Sequence, residues 1–478
     1  MGDALFRLAL PRGGVRAGMS RSDEVLQRAV RHASVTRVVI VERDALVRVP
    51  QVLTALGTRG RYRIVADTAT MRAAGDRVQA VLRDAGIAGG EPVVLGETPR
   101  VKPRADTARE LAAELAATGS VPLAVGAGVI NDLTKYAASV AGTAYVCIPT
   151  AASMDGYAAS GAAMLDDGFK RTLACAPPVG IVADLDVLTA APSRMSAWGY
   201  GDLAGKVVAG ADWLLADALG EESIDAEPFA LVQDNLRTWL AAPADIANGD
   251  SEAMRGLIDG LLVSGFAMQA HGNSRPASGS EHQFSHVFEM ERLCVDGEPA
   301  AHGACVGVAT VAMLALYEWF VTQDIPARAE AAITGGTDRD ADAIDAEIDA
   351  AFADPAIVEN ARTEMRAKLA AATRRPLRLR ALAASWPALR PRLETALVGP
   401  TVMARWLAAC GAPFHPAHLG ISLERFARDH RRARLIRRRY TILDCLDDLG
   451  LLDAAIAALF APDGFWRQRA SIASTGFR

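Results

Sequence analysis

Paired cysteines, a surplus of positive charge and a long apolar run are all missing from this sequence of 478 residues. The six cysteines (Cys147, Cys175, Cys294, Cys305, Cys410 and Cys445) are scattered and form no CxxC. They read as buried thiols in a reducing cytoplasm, not as a disulfide framework. Lys and Arg number 51 against 56 Asp and Glu, a formal net charge of −5. No global basic field therefore points to nucleic acid. No uninterrupted apolar stretch of about 20 residues occurs, so no membrane span is expected. The N-terminus, MGDALFRLALPRGGVRAG, interrupts its short apolar run with Arg7, which leaves no signal-peptide core. No internal repeat is evident. Aromatics are scarce at 6% while hydrophobic residues make up 51%, as in a soluble, Ala-rich globular protein. The length exceeds one ordinary core and implies two or three domains.

The first part of the chain alternates. TRVVIVE, YRIVAD, PVVLGE, PLAVGAG and AYVCIPT are short β-branched runs, separated by helical stretches such as MRAAGDRVQAVLRDAG and DTARELAAELAATG. This alternation predicts a parallel sheet with helices on both faces. Asp166-Asp167-Gly168 marks a hairpin turn, and GIVADLDVL supplies a final strand. From Ser193 strands vanish and helical periodicity continues to the end. The expectation is an α/β domain over residues 1–192 and an all-α domain over 193–478. The cleft between them is the default ligand site. Two charged segments stand out, the acidic TGGTDRDADAIDAEIDAAFADP and the basic ERFARDHRRARLIRRRY. Both read first as solvated helix faces; an anionic partner is the alternative for the second.

PLAVGAGVINDLTKYAA places Gly126, Ala127 and Gly128 between a strand and a helix carrying Asp132 and Lys135. Glycines there let backbone N–H groups approach a phosphate at the helix N-terminus. The dinucleotide fingerprint GxGxxG is broken, because Asn131 stands where its third glycine belongs, and a plain tight turn is the competing account. The next strand ends in CIPTAASMDGYAASG. Its Thr150, Ser153 and Asp155 lie where open α/β sheets place ligands, or else make Asx and Ser turns.

His271, His282, His286 and His302 crowd into a short interval of a chain with eight histidines. His282 and His286 are spaced i, i+4 and share one helix face. His302 opens another apolar helix, and Asp202 lies near the start of a third. Singly, Asp202 reads as a cap or a partner of Lys206, His282 as a core histidine and His302 as a turn residue. Together they offer one carboxylate and two imidazoles, the donor set of a catalytic divalent ion with an open position.

The segments GAGVINDLTKY, IPTAASMDGYAASGAAM, GYGDLAGK, SRPASGSEHQFSH and AHGACVG resemble, in order, the glycerol-1-phosphate dehydrogenases of bacterial type. These belong to the dehydroquinate synthase-like and iron-containing alcohol dehydrogenase superfamily. The resemblance covers about residues 35 to 320, with RRRYTILDCLDDLGLL similar to the family's C-terminal end. It implies a Rossmann-like N-terminal domain, a helical C-terminal domain and NAD- or NADP-dependent interconversion of dihydroxyacetone phosphate and sn-glycerol 1-phosphate. It implies Asp202, His282 and His302 as ligands of one divalent metal, Zn first, with Ni or Fe as alternatives. Gly126, Ala127, Gly128 and Asp132 match a GGGxxxD pyrophosphate loop in which Ala127 replaces a glycine. Thr150, Ser153 and Asp155 match the second segment facing nucleotide and substrate, and Asp67 the position that meets the adenosine ribose. Sugar-phosphate cyclases share the scaffold but carry Glu as first ligand, so Asp202 favours the dehydrogenase branch. By the same comparison His286 becomes a proton-relay candidate.

A phosphorylated substrate needs cations or N–H donors, and Lys170, Lys206 and Arg275 are the candidates. Ala-rich helices offer a face for a homodimer. A binding or regulatory role without catalysis is the rival of a different class, suggested by extra length at the N-terminus and in the helical half. An intact Asp202, His282 and His302 set argues against it.

Overall fold

The computed structural model describes residues 20–58, 61–96, 100–166, 169–335, 341–369 and 374–468. Arg7 and the N-terminal stretch lie outside the described residues, as does the side chain of Lys170. The chain packs as two compact units, Met1–Leu203 with Ala230–Asn273, and Ala204–Phe229 with Ser274–Arg478.

The first unit holds the strands β1 (Val38–Glu42), β2 (Arg61–Asp67), β3 (Val93–Leu95), β4 (Ser120–Gly126) and β5 (Val146–Pro149), then β6 (Ala162–Asp166), β7 (Phe169–Leu173) and β8 (Gly180–Asp184). Six of them form one parallel sheet in the order β1-β8-β5-β4-β2-β3. β6 and β7 form the expected antiparallel hairpin, with Asp166 opposite Phe169. Every residue of β4 is buried, as a central parallel strand covered on both faces must be. The period-2 alternation divides β2 between two cores. Ile64 and Ala66 pack with Val49, Val52 and Leu53 of α2 (Val49–Leu56) and Val78 and Leu82 of α3 (Asp76–Asp84). Val65 points the other way, to Leu111 of α4 (Ala105–Thr118) and Leu133 of α5 (Gly128–Val140). The connection from β2 runs outward to β3, whereas that from β4 runs the opposite way to β5. This reversal is a topological switch point, where doubly wound sheets hold their ligands beyond the strand ends.

Three helices complete what is needed of this unit: α1 (Arg21–His32), which precedes β1, α6 (Leu185–Ala190) and α9 (Ser251–His271). Arg255 of α9 donates to Asp23 of α1, to Asp259 and to the carbonyl of Val41. Gln269 meets Thr36 through both its amide nitrogen and its carbonyl oxygen. Helix α7 (Ser193–Ala218) is continuous for 26 residues and runs through the division at Leu203–Ala204.

The second unit is built around α10 (Ser280–Met290) and α11 (His302–Val321), which pack on each other. Strands do not vanish entirely after Ser193, because Cys294–Val295 pairs with Glu298–Pro299 in a minimal hairpin. Helix α11 is the one described helix long and apolar enough to cross a membrane, with mean hydropathy 1.8, which a search for an apolar run of about 20 residues passes over. Since 83% of that window is buried, it is a core helix. The two charged segments are not independent solvated faces. Glu347 of the acidic one pairs with Arg431 and Arg434 of the basic one. Arg425 and Arg432 reach Glu291, and Arg438 reaches Glu364.

Two glycines in helices make opposite predictions. A Cβ on Gly199 of α7 would overlap the carbonyl of Ala152, a backbone atom that cannot swing aside. Gly199→Ala should destabilise by about 1–3 kcal/mol. A Cβ on Gly256 of α9 would meet nothing within 4 Å, so Gly256→Ala should stabilise by roughly 0.5–1 kcal/mol through helix propensity. Denaturant midpoints of the two variants would move in opposite directions; a common direction would disprove the packing described for α7.

Candidate functional site

The switch point is lined by the glycine turn after β4. A Cβ on Gly126 would collide with the Ile130 side chain, and one on Gly128 would lie 2.8 Å from Met154 Sδ. Ala127, extended at φ −80°, is the N-cap of α5 and makes no side-chain cap. The first amides of α5 are thus without a side-chain acceptor, the arrangement that receives a phosphate. Asp67 closes β2 beside this turn. Its Oδ1 accepts from the amides of Ala69 and Thr70 at 2.9 and 2.8 Å, while Oδ2 has no hydrogen-bond partner among the described residues. Thr150 donates its amide to the Gly126 carbonyl at 3.2 Å and so ties the end of β5 to the turn. Ser153 Oγ lies 3.0 Å from the Tyr157 hydroxyl. Asp132 faces elsewhere: Oδ2 accepts the amide of Ala163 in the hairpin at 3.3 Å and Oδ1 lies 3.5 Å from Lys135 Nζ. Lys135 in turn donates to the carbonyls of Gly156 and Gly161. These contacts of Asp132 hold the hairpin to α5.

Asp202 on α7, His282 on α10 and His302 at the start of α11 each bring a ligand atom within 4.8 Å of the others. The imidazole centroids of His282 and His302 are 5.2 Å apart. Each member is held by a partner. Asp202 Oδ2 accepts the amide of Asp155 at 2.9 Å. His282 Nδ1 lies 2.7 Å from Glu281 Oε1, and His302 Nδ1 lies 2.5 Å from Glu289 Oε1. A carboxylate on Nδ1 fixes the tautomer, leaves the lone pair on Nε2 and makes the ring a stronger donor. This donor set fits a divalent cation.

His286, one turn along α10, has Nδ1 3.2 Å from Glu289 Oε2 and accepts at Nε2 from Arg437 Nη2 at 3.1 Å. Burial and the adjoining Arg437 charge lower its pKa to about 4, so the ring is neutral. Glu281, wholly buried, is pushed up to about 7 by desolvation. Asp212, likewise buried and near Glu281, is raised to about 6.

A family model described as iron-containing alcohol dehydrogenase matches residues 40–192. A glycerol-1-phosphate dehydrogenase (NAD(P)+) of Halalkalibacterium halodurans is 38% identical over 257 residues, 53% of this chain and 64% of that protein. One of the same name from Geobacillus stearothermophilus is 32% identical over 335 residues, 69% of this chain and 72% of its own. The chain belongs to the glycerol-1-phosphate dehydrogenase family. Its match to the first of these relatives spans 64% of that relative's length. The crystal structure of glycerol dehydrogenase from Schizosaccharomyces pombe superposes with a TM-score of 0.58 over 91% of this chain and 92% of that one, at 16% identity, which is a likeness of fold.

Within this family member the phosphate candidates are placed as follows. Arg275 is fully buried; it donates to the carbonyls of Asp212 (2.8 Å) and Tyr440 (3.3 Å) and lies 3.2 Å from Glu222. Lys206 is also fully buried, one turn from Asp202, where its charge favours ionisation of Glu281. The side chain of Lys170 lies outside the described residues. Sequence reasoning missed Glu289 and Arg437. The only signal for Glu289 was its i+3 spacing from His286, and Arg437 was hidden in a run read as a solvated face. At the start of α10, whose N-cap is Gly279, Asp212 Oδ2 accepts the Ser280 amide at 2.6 Å and Glu281 Oε1 the Gly279 amide at 2.9 Å. Carboxylate acceptors there satisfy amides that have no partner within the helix.

His282→Ala should abolish tight binding of a divalent ion while the circular dichroism spectrum is kept. Glu289→Ala should weaken it by about 10- to 100-fold. Chelator competition measures both, and unchanged affinity in either variant would remove that residue from the site.

Proposed function

We propose that this chain reduces dihydroxyacetone phosphate to sn-glycerol 1-phosphate, reversibly, with NAD(P)H and one divalent metal. The observation that carries the proposal is the convergence of Asp202, His282 and His302, each already oriented by a second group. Family membership supplies the substrate, and the uncapped start of α5 at the switch point supports a dinucleotide pyrophosphate. A metal held by these three residues supplies Lewis acidity toward the substrate's C2 oxygen; the nicotinamide carries the hydride.

The remaining work falls to the chain. Gly126, Ala127 and Gly128 present backbone N–H groups to the pyrophosphate, with Thr150 and Ser153 beside them. Asp67 accepts from the adenosine ribose through Oδ2. A carboxylate at that position repels a 2′-phosphate, so NADH is the better partner. Asp155 fixes Asp202 by its amide and faces the substrate segment. His286 stands beside the ligand rings as the relay: with Arg437 turned to the substrate, Nε2 would take a proton from solvent and pass it to the C2 oxygen, while Glu289 at Nδ1 supports the transient imidazolium. Six free cysteines, four of them buried, suit a reducing cytoplasm.

The test is turnover with both cofactors and both glycerol phosphate enantiomers. Purified, metal-loaded protein should consume NADH with dihydroxyacetone phosphate, prefer NADH to NADPH, and oxidise sn-glycerol 1-phosphate but not the 3-phosphate. Activity confined to unphosphorylated alcohols would overturn the substrate and leave a general alcohol dehydrogenase.

A further inference from the structure

The basic segment after residue 423 carries a guanidinium, Arg437, that is neither exposed nor ion-paired among the described residues. Arg425, Arg431, Arg432, Arg434 and Arg438 all lie within ion-pair reach of carboxylates, and Arg428 is exposed. The hydrogen bond of Arg437 is to a ring nitrogen, His286 Nε2, at 3.1 Å. Glu364 and Glu289 act on it only through their field. A guanidinium has several N–H donors arranged for a planar or tetrahedral oxyanion, and a single imidazole acceptor leaves most of that capacity unused.

Its position is fixed from both sides. Glu364 takes the amide, Nε and Nη2 of Arg438. Arg439 donates to the carbonyl of Ser278 and to Ser274 Oγ. The carbonyl of Arg439 accepts from Gln283 Nε2 at 3.1 Å, and that of Tyr440 from Arg275. Arg437 is thus carried on a clamped segment with a ring between it and the ligand cluster, since the His286 and His302 centroids are 6.2 Å apart. One ring's width from the metal-facing nitrogens is the range over which a three-carbon substrate separates its reacting oxygen from a terminal phosphate.

Resting on the function proposed above, we infer that Arg437 is the anchor for the substrate's phosphate dianion. It selects the phosphorylated ketone over the free one by a charge-assisted, forked contact made beside His286. Arg275 is turned to two carbonyls and Glu222 and the Lys206 charge acts on Glu281, so among these described cations Arg437 is the one facing a neutral ring.

The experiment compares wild type, Arg437→Gln, Arg437→Lys and the exposed control Arg428→Gln, each metal-loaded. The first readout is the ratio of kcat/KM for dihydroxyacetone phosphate to that for dihydroxyacetone. The second is the Kd of inorganic phosphate by calorimetry, which needs no turnover. Arg437→Gln should lower the ratio and weaken phosphate binding by about 10- to 100-fold, the range of a charged hydrogen bond. Arg437→Lys should recover part of both, and Arg428→Gln should match wild type. An unchanged ratio and phosphate Kd in Arg437→Gln would overturn the assignment. So would equal losses on both ketones with phosphate binding intact, or a wild type that binds no phosphate. If wild type binds phosphate through Arg437 yet does not reduce dihydroxyacetone phosphate, the anchor stands and the proposed reaction falls.

Discussion

The carboxylate of Asp212 is the constraint on which the helical half depends. It is fully buried on α7, one helix and less than three turns from Asp202. Oδ2 accepts the amide of Ser280, and Oδ1 accepts the Tyr317 hydroxyl at 2.7 Å and the amide of Ile442 at 2.8 Å. One side chain therefore fixes the start of α10, a ring of α11 and the start of the helix Ile442–Asp448. The first two carry His282 and His302, and the third follows directly on the arginine segment that holds Arg437. A buried carboxylate loses much by desolvation, and its compensation is the set of donors it gathers. Because those donors belong to three separate stretches of chain, the same compensation sets the angles at which the ligands meet.

A second set of contacts shows what two helices of the acidic region do. The segments Ala341–Ala351 and Pro355–Leu369 supply Glu347 and Glu364 to Arg434, Arg431 and Arg438. Lys368 reaches the carbonyl of Arg434 and the carboxylate of Asp444. Partly buried pairs of this kind resist screening better than surface ones, and their arrangement as a network adds geometry that isolated pairs lack. Their effect is to hold the basic segment against α10, with most of its arginines neutralised outward and Arg437 turned to His286.

The α/β half was legible in sequence because its signals are local. Period-2 and 3.6 patterns, the turn at Asp166 and the glycines at Gly126 and Gly128 each report on neighbours a few residues away, and the sheet follows from them. The proposed ligand trio was legible for another reason: metal chemistry restricts residue type so strongly that Asp202, His282 and His302 stand out as candidates without a fold. The partners of that trio were not. Glu289 carries no motif of its own, and its two contacts, to His286 and His302, become visible only when α10 and α11 are packed. Arg437 lies 151 residues from His286. Composition classed it with neighbours whose carboxylate partners lie anywhere from 3 residues away, as Asp429 from Arg432, to 141, as Glu291 from Arg432, and only the packed chain shows that Arg437 meets a ring nitrogen instead. Asp132 shows the converse: a motif position whose carboxylate holds a hairpin.

The stretch SRPASGSEH, the most specific signature in the chain, can now be accounted for residue by residue. Ser274 Oγ and the Ser278 carbonyl receive Arg439. Arg275 joins the Asp212 and Tyr440 carbonyls. A Cβ on Gly279 would press within 2.6 Å of Asp212 Oδ2 and 2.8 Å of Glu281 Oε2, so only glycine admits two carboxylates to the helix start. Glu281 then occupies the last place before the ligand, with one oxygen on the Gly279 amide and His282 together. Ser274, Arg275, Ser278, Gly279 and Glu281 thus serve to fix His282. A sequence this constrained is explained less by the reaction than by geometry: a metal ligand must be held to fractions of an ångström, and here the holding is done by buried charge, which tolerates substitution poorly because each removed partner leaves another uncompensated.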